Sequence, residues 1–372
     1  MKKIFSILMA VVLISACQND DTDFSEYING RQDGTSTIST IYITYNGNSV
    51  NVEGDQRGYV TTNGADVTVD AVNDTDSLVL VLSGSTTDGS LLVFRENKFG
   101  IKLNGVTINN NDGSAINNQC HKALYIDVVE GTTNTLSDGS NYNENVEYQQ
   151  KGTLFSEGQI YFLGTGTLKV TGNHNNAIAC DDYIVIDKPN IQASSAVGNG
   201  IKVNEGLWIE GGTLDINVTG NGCRGIRCDY TVTINGGTTT INTSGDCVYD
   251  DDEDDYSSAA CIKCDDLFTM TDGTLQMTSS GDGGKGINCA TKVVFSGGTL
   301  IATTTGDNEF AKPKAVKGDE GIIVSGGTFK ANVNKSWACD NGTESETPED
   351  HLTVQGSPKS AKITKKSVEI IY

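Results

Sequence analysis

The stretch GIKVNEGLWIEGGTLDINVTGNGCRG, residues 200–225, contains three short runs in which apolar and polar residues alternate. Short segments of glycine and polar residues separate these runs at 204–206, 211–213 and 220–222. Alternation with a period of two predicts β-strands, and clusters of glycine and asparagine predict turns. The stretch therefore predicts three strands, each followed by a turn, and no helix.

The same phrases recur along the chain at intervals of roughly 23–25 residues. One phrase occurs as AIACDD (177–182), GIKVNE (200–205), GIRCDY (225–230), CIKCDD (261–266), GINCAT (286–291) and AVKGDE (315–320). A repeat of this length, in which one unit cannot bury its apolar face alone, is typical of a solenoid. Because each repeat has three strand signals and no helical phrase, we predict an all-β, single-stranded parallel β-helix with three strands per coil.

Residues at the same position of successive repeats should form columns, because equivalent strands of neighbouring coils lie about 4.8 Å apart. One inward column is predicted to contain Ile178, Ile201, Ile226, Ile262, Ile287 and Val316. The next is predicted to contain Cys180, Val203, Cys228, Cys264, Cys289 and Gly318, and the third strand supplies Leu168, Leu214, Leu275, Leu300 and Phe329. We expect these stacked side chains to form the core.

The chain divides into four segments. Residues 1–16 combine two lysines, a short apolar run and small residues before Cys17, which resembles the signal peptide and lipobox of bacterial lipoproteins. The resemblance implies lipidation of Cys17, an acidic tether over 17–34 and attachment to the outer membrane at the cell surface; the alternative is an unlipidated signal with a chance cysteine. The β-helix is predicted over 35–339, and a C-terminal cap or tail over 340–372.

The chain is strongly acidic, with 48 acidic against 26 basic residues and a formal net charge of −22. Such a charge offers no electrostatic basis for binding nucleic acid or an anionic membrane surface. Two explanations stay open, since acidity accompanies both bound cations and simple solubility.

Nine of the ten cysteines follow Cys17, which is an odd number for a protein of an oxidising compartment. Cys180, Cys228, Cys264 and Cys289 share one inward column, where we expect them to act as small apolar residues. Cys223, Cys247 and Cys261 lie in adjacent coils. A disulfide among these three is a hypothesis.

Acidic residues recur in the turn that follows the first strand of each coil. They are Asp181, Asp182, Glu205, Asp229, Asp265 and Asp266. Calcium prefers six to eight oxygen ligands, which two neighbouring coils could supply from carboxylates and turn carbonyls. We therefore predict calcium between coils, in a structural or ligand-bridging role, at these residues. The alternative is that aspartate simply suits turns.

A basic column is predicted beside the acidic one and consists of Lys202, Arg227, Lys263 and Lys317. A basic stripe along a flat β-face fits an extended polymer that carries carboxylates, so these residues are the predicted substrate-binding set. The alternative is charge neutralisation between the two columns.

An insertion lengthens one coil and contains six consecutive acids at 250–255, flanked by Tyr249 and Tyr256. Because like charges repel, we interpret the run as a hydrated, mobile loop in preference to a cation-binding loop. The two tyrosines, Trp208 and Trp337 are the exposed aromatic candidates for sugar stacking. Trp208 has no tryptophan on the adjacent coils, so this evidence for binding a neutral glycan is weak.

Several phrases resemble a family of bacterial cell-surface carbohydrate-binding proteins. They are LNGVTINNNDGSAI (103–116), GTTNTLSDG (131–139), KGTLFSEGQIYFLGTGTLKVTGNHNNAIACDDYIVI (151–186) and the coils from GIK to GGT. The resemblance implies a right-handed parallel β-helix of pectate-lyase-like shape that binds cellulose and acidic sugars such as polygalacturonate and holds calcium between coils. The coil-end acids of the family map onto Asp181, Asp182, Asp229, Asp265 and Asp266, whereas Asn204-Glu205 replaces a paired aspartate.

The predicted function is therefore that of a monomeric surface lipoprotein that binds a polysaccharide, with an acidic glycan favoured and cellulose as a further ligand. No catalytic residue is assigned. Two alternatives stay open: a calcium-dependent polysaccharide lyase, in which Lys202 or Lys263 removes the proton beside a uronate carboxylate, and a passive β-helical adhesin or rod.

Overall fold

A computed structural model describes residues 38–252, 254–347 and 350–371. The described residues form 37 β-strands and contain no α-helix. None of these residues belongs to a helix long and apolar enough to cross a membrane. The predicted signal segment 1–16, the tether 17–34 and Cys17 lie outside the described residues.

One sheet of 12 strands contains the first strand of each coil. Its strands are β3 (Val60–Asn63), β4 (Asp66–Ala71), β6 (Ser90–Arg95), β8 (Ile116–Asn118), β11 (Gly152–Ser156), β14 (Asn176–Cys180), β17 (Ile201–Val203), β20 (Arg224–Cys228), β25 (Ala260–Cys264), β28 (Lys285–Cys289), β31 (Lys314–Gly318) and β34 (Cys339–Asp340). We call this the first-strand sheet. All its pairings are parallel except that between β3 and β4.

A second sheet of 23 strands contains the other two strands of each coil. The second strands are β9 (Leu124–Val128), β12 (Ile160–Gly164), β15 (Tyr183–Ile186), β18 (Gly206–Ile209), β21 (Thr231–Ile234), β26 (Phe268–Met270), β29 (Lys292–Phe295), β32 (Gly321–Val324) and β35 (Thr353–Val354). The third strands are β10 (Thr133–Asp138), β13 (Thr167–Gly172), β16 (Asn190–Ser195), β19 (Thr213–Val218), β22 (Thr238–Thr243), β27 (Thr274–Ser279), β30 (Thr299–Thr304), β33 (Thr328–Val333) and β36 (Ser360–Lys365). Nearer the N-terminus, β1 (Ile38–Asn46), β5 (Ser77–Thr86) and β7 (Phe99–Asn110) are longer, and β2 (Ser49–Glu53) and β37 (Val368–Ile371) complete the sheet.

Apart from β2, β3 and β37, the strands of the two sheets pair in parallel with strands of neighbouring coils. In the first-strand sheet, for example, Ile178 lies opposite Ile201, which lies opposite Ile226. The prediction of an all-β fold built from parallel, stacked strands is confirmed. A two-stranded antiparallel hairpin, β23 (Val248–Asp250) and β24 (Asp255–Ser257), projects from the coil that precedes β25.

The core consists of the predicted inward columns. The side chains of Ile178, Ile201, Ile226, Ile262 and Ile287 are fully buried and stand in register. The aliphatic and cysteine columns belong to one continuous apolar cluster that runs through the described coils. Because each layer packs on the next, the stacking of coils itself buries the apolar surface.

The Gly-Gly-Thr phrase marks a turn that requires glycine. The φ angle of Gly212 is +73°, and a Cβ added there would lie 2.4 Å from the carbonyl oxygen of Pro189 in the preceding coil. Gly237, at the equivalent place in the next coil, also has a φ angle of +73°. Both the left-handed backbone and the close approach of neighbouring turns exclude a side chain.

Antiparallel strands lie at both ends of the described coil. Near the N-terminus, β2 pairs with β1 and β3 pairs with β4. At the other end, parallel pairing continues beyond residue 339 through β35 and β36, and β37 then pairs antiparallel with β36. Such hairpins occupy sheet edges that would otherwise be open to pairing with another chain.

All nine described cysteines are free thiols. The hypothesis of a disulfide among Cys223, Cys247 and Cys261 is not supported, since Cys261 is fully buried and its thiol donates to the carbonyl oxygen of Thr278 at 3.3 Å. The column cysteines are buried as expected, and burial raises the pKa of Cys228 to about 11. These thiols therefore serve as packing groups.

Candidate functional site

The predicted basic column lies on the outer face of the first-strand sheet. Lys202, Arg227, Lys263, Asn288 and Lys317 stand in register on successive strands. Their alternation with buried neighbours places them outside the coil, as the sequence predicted.

Most of these cations are engaged by the acidic column. Lys202 forms an ion pair with Asp229, and Arg227 contacts Asp229 at 2.9 Å and Asp265 at 2.6 Å. Arg227 also donates two hydrogen bonds to Asp265, a bidentate arrangement that fixes both side chains. At Lys202 and Arg227, the two predicted columns thus neutralise each other.

Lys263 is held less closely than the other three cations. Lys263 lies 3.9 Å from Asp265, and Lys317 lies 2.8 Å from Asp319 within its own coil. Burial and the neighbouring Arg227 lower the pKa of Lys263, although Asp265 acts in the opposite direction.

The acidic residues predicted to bind calcium occupy different surroundings. Asp181 forms an ion pair with Lys151 at 2.5 Å, while Asp229 and Asp265 pair with the basic column. Asp266 accepts a hydrogen bond from the hydroxyl of Thr231 at 3.1 Å. Within the described ranges, no group of three or more acidic, histidine or cysteine side chains has a geometry suited to a metal ion.

The pair Asp182 and Glu205 differs from the rest of this set. Among the described residues neither carboxylate forms an ion pair, and Asp182 accepts a hydrogen bond from Gln159. Burial and then the nearby Glu205 raise the pKa of Asp182. Two carboxylates on adjacent coils therefore repel each other here without a balancing cation.

A second column of cations stands beside the predicted one at the start of each first strand. Arg224, Ala260, Lys285 and Lys314 are in register on β20, β25, β28 and β31. Lys314 pairs with Asp340 at 3.3 Å. Arg224 and Lys285 were not among the predicted site residues, although the shared position two residues before Ile226, Ile287 and Val316 could have revealed the column.

Arg224 and Lys285 have no carboxylate within ion-pair distance among the residues that the structure describes. Arg224 instead donates to the hydroxyl of Ser257 at 2.6 Å, and Lys285 donates to the hydroxyl of Ser258. The Nε atom of Arg224 is buried and has no hydrogen-bond partner in the part of the chain that the structure describes. Both cations are thus held in place by neutral groups.

Burial affects the proton affinity of both cations. It lowers the pKa of Lys285 to about 8, with the positive charges of Lys317 and Lys314 adding to the effect. Burial and the nearby Arg227 also lower the pKa of Arg224. A lowered pKa means that the surroundings disfavour the positively charged form, and an anion beside the cation would favour that form again.

Asp250 and Asp255, at the two ends of the acidic run, pair across a hairpin formed by β23 and β24. That the run between them is hydrated and mobile stays a prediction. Tyr249 and Tyr256 face each other across β23 and β24 with ring centroids 5.2 Å apart. Tyr256 in turn stacks on Phe310 at 5.3 Å, which ties the hairpin to the loop before β31. Aromatic contacts between the turns of neighbouring coils therefore anchor the strands of the hairpin.

The hairpin and the two cationic columns enclose a polar cleft of about 580 Å³. Arg224, Lys263, Lys285 and Lys317 line its floor, while Asp250, Asp255 and Tyr256 line the side formed by the hairpin. The volume falls within the usual range for small-molecule sites, roughly 300–1,000 Å³. We call this space the cationic cleft.

The aromatic candidates are distributed differently from the prediction. Trp208 packs edge-on against Tyr183, which contacts Tyr161, which stacks on Tyr125 at 4.8 Å, so an aromatic ladder runs along the second strands. Trp337 is buried, stacked on His351 at 4.2 Å and covered by Lys365, and the expectation that it is exposed was wrong. Tyr249, in contrast, is exposed as expected.

A solved structure shares the fold. It is described as the polysaccharide lyase-like protein from C. thermocellum, as a gadolinium derivative, and it superposes with a TM-score of 0.57 at 23% sequence identity. The match covers 72% of this chain and all of that one. A search of curated protein sequences gave no significant match.

A protein family also matches the sequence directly. The family is described as carbohydrate-binding domain-containing proteins, and the matches cover residues 63–225 and 221–309, about two thirds of the chain. These residues include β20, β25 and β28, and therefore most of the cationic cleft. The chain belongs to the family of carbohydrate-binding domain-containing proteins.

Proposed function

We propose that this protein binds an acidic polysaccharide in the cationic cleft. The observation that carries the proposal is the pair Arg224 and Lys285, two largely buried cations that face one cleft without a carboxylate partner among the described residues. A buried charge without a partner is costly, and natural proteins keep such groups mainly where they act. Membership of a carbohydrate-binding family supports a glycan as the source of the missing anion.

The composition of the cleft fits a uronate-containing chain. Arginine and lysine can bind the carboxylates, while Asp250 and Asp255 can accept hydrogen bonds from sugar hydroxyl groups. Tyr256 offers an aromatic edge beside the floor. A neutral glycan such as cellulose would leave Arg224 and Lys285 without anions, so an acidic glycan such as polygalacturonate is the favoured ligand.

The cations predicted from sequence take two roles in this proposal. Lys263 and Lys317 line the cleft and contribute to ligand binding, although Asp319 also pairs with Lys317 at 2.8 Å. Lys202 and Arg227 are neutralised by Asp229 and Asp265 and contribute mainly to the stability of the face. Only part of the predicted basic column therefore contributes to ligand binding.

Calcium remains part of the proposal at one position. At Asp181, Asp229 and Asp265 a calcium ion would have to displace a lysine or arginine, so these residues do not fit a resident metal. Asp182 and Glu205 fit better, because they lack a balancing cation among the described residues and a cation would relieve their repulsion. Calorimetric titration of calcium into the wild type and into Asp182→Asn would test this: binding that is unchanged in the variant would exclude the pair.

The handedness of the β-helix and the cellular location of the protein are also proposals. We propose a right-handed single-stranded β-helix, because crossover connections between parallel strands are right-handed in nearly all proteins. We also propose that Cys17 is lipidated and anchors a monomer to the outer membrane at the cell surface, as the signal-like segment 1–16 implies. Mass spectrometry of the membrane-extracted protein would test the anchor, since an unmodified N-terminal peptide containing Cys17 would exclude it.

One observation favours a second candidate function, polysaccharide lyase activity. Lyases need a base to remove the proton beside a uronate carboxylate, and Lys285 has a pKa lowered to about 8 beside cations that could neutralise that carboxylate. Lys285 is thus a better candidate base than Lys202, which Asp229 engages. Formation of an unsaturated uronide by the wild type and its loss in Lys285→Met would establish lyase activity. If no such product forms, lyase activity is excluded and the binding function is the one that stands.

The binding proposal is tested by titrating polygalacturonate oligosaccharides and neutral cello-oligosaccharides into the protein. We expect heat from the acidic ligand with the wild type, and binding about tenfold to a hundredfold weaker with Lys285→Met. Lys362→Met is the matched control, because Lys362 is a surface lysine that pairs with Glu369 in the terminal hairpin. Equal affinity of all three proteins for the acidic ligand would contradict the proposal.

A further inference from the structure

The cationic cleft has two sides of opposite charge. Its floor is cationic, whereas its hairpin side carries Asp250 and Asp255, with Asp251, Asp252 and Asp254 close by in the turn. Asp250 acts electrostatically on Arg224, and Asp255 acts on Lys285, but neither carboxylate comes within ion-pair distance of those cations. A ligand therefore enters between positive and negative groups that do not cancel each other by contact.

The two unpaired cations are separated by one neutral position. Arg224 and Lys285 belong to one column, with Ala260 between them on β25. Two coils separate the two strands, and two coil spacings amount to about 10 Å. That separation exceeds the length of one sugar unit and suits a disaccharide, so this column presents an unpaired positive charge to every second sugar of a chain laid along the coils. Lys263, on the intervening strand, also lines the cleft, but it belongs to the neighbouring column and lies 3.9 Å from Asp265.

The opposite side of the cleft disfavours additional carboxylates. In an extended polysaccharide with a two-fold screw axis, successive sugar units face opposite sides of the chain. A homopolymer of uronic acid whose odd-numbered carboxylates meet Arg224 and Lys285 would turn its even-numbered carboxylates toward Asp250 and Asp255. Like charges within such a cleft are only partly screened and would weaken binding.

From this arrangement we infer that the cleft selects an acidic glycan in which charged and neutral sugars alternate, and that Asp250 and Asp255 determine this specificity. The inference rests on the proposed function, because it names the class of acidic glycan for the same site. The neutral sugars of such a chain would meet the hairpin with hydroxyl or amide groups that can donate to the two aspartates. A homopolymer has a carboxylate at each of those places.

The test compares two probes of equal length by calorimetry: hyaluronan oligosaccharides, in which glucuronate alternates with a neutral amino sugar, and polygalacturonate oligosaccharides. We expect the wild type to bind the alternating chain about tenfold more tightly. The double variant Asp250→Asn/Asp255→Asn should gain about tenfold in affinity for polygalacturonate and change little toward hyaluronan. The double variant Asp251→Asn/Asp252→Asn is the matched control, since it removes the same charge from exposed turn residues that do not line the cleft.

Three outcomes separate the inference from the proposed function. A gain confined to polygalacturonate and to the Asp250/Asp255 variant supports the inference. Equal binding of both probes by the wild type, with the same response from both double variants, overturns the inference and leaves acidic-glycan binding in place. Absence of binding by every protein, each with a wild-type thermal unfolding transition, overturns the proposed function together with the inference.

Discussion

Two regions of the coil bury arginine or lysine in opposite ways. Near the N-terminus, Arg95 is fully buried, contacts Asp74 at 3.2 Å and donates to the carbonyl oxygens of Asn97 and Asp76. In the cationic cleft, the side chains of Arg224 and Lys285 are largely buried, and among the described residues their hydrogen bonds go to the hydroxyls of Ser257 and Ser258. The first region satisfies its cation with an internal anion, whereas in the second, under our proposal, the anion comes from a ligand.

The pKa of Asp74, the carboxylate that pairs with Arg95, shows the same contrast between the two regions. Burial acts to raise the pKa of Asp74, but hydrogen bonds from the Asp76 amide and from Arg95 outweigh it and hold that pKa below its ordinary value. In the cleft, the pKa of Lys285 is lowered, so its charged form is destabilised. Charge burial thus stabilises the fold in one region, and in the other it forms the site at which we propose that a ligand binds.

The largest expected effect on stability comes from removing the buried ion pair between Arg95 and Asp74. Arg95→Met leaves Asp74 buried without its inner partner and should lower the free energy of unfolding by about 3–5 kcal/mol. Glycan affinity should not change at a temperature where the variant is folded. Urea denaturation measures the loss, and Arg57→Met is the control, because Arg57 contacts the same carboxylate from an exposed position and should cost less.

Removing the unpaired lysine should have the reverse effect on stability. Lys285→Met replaces a disfavoured buried charge with an apolar group and should raise the free energy of unfolding at pH 7 by about 1–3 kcal/mol. The same variant loses affinity for the acidic glycan, which makes this a trade-off between stability and binding. A variant less stable than the wild type would show that Lys285 has a structural role.

The stability of the wild type should also depend on pH in a defined direction. The pKa of Lys285 is about 8 in the folded protein and ordinarily 10.5, so the unfolded chain binds more protons between these values. Stability should therefore rise with pH across this interval relative to Lys285→Met. Thermal unfolding of both proteins from pH 7.5 to pH 10, at about 0.5-unit steps, measures the difference. Parallel curves would contradict the assigned pKa.

The smallest effect on stability and affinity is expected for a cation of the basic column that the acidic column already neutralises. Lys202→Met removes a partly exposed ion pair with Asp229, which Arg227 also contacts. The expected loss is about 0–1 kcal/mol of stability, with little change in glycan affinity. A large loss of affinity would restore Lys202 to the binding site and extend the active stripe beyond the cleft.

The sequence predicted the fold in detail because the repeat links position in the chain to position in space. The columns headed by Ile178 and Cys180 follow directly from the period and from alternation within each strand. The site was predicted only in part. The outward placement of Lys263 and Lys317 follows from the same rule, but the period could not show that Asp265 and Asp319 lie near them at different distances.

The residues that were missed depend on contacts outside the repeat. The side chains of Arg224 and Lys285 are held by hydrogen bonds to Ser257 and Ser258, which the hairpin insertion brings against the first-strand sheet. The insertion has no counterpart in neighbouring coils, and its acidic composition suggested a mobile loop. Tyr256, in β24, stacks on Phe310 in the loop before β31, and the sequence period does not predict that contact.

Proton uptake on binding tests the central claim most directly. If the carboxylate of an acidic glycan meets Lys285, binding raises the pKa of that lysine, so at pH 8 the complex takes up a proton that the free protein partly lacks. Calorimetry in buffers of different ionisation enthalpy counts this proton. We expect uptake by the wild type and none by Lys285→Met. Tight binding of the glycan to the wild type without any proton uptake would contradict the account.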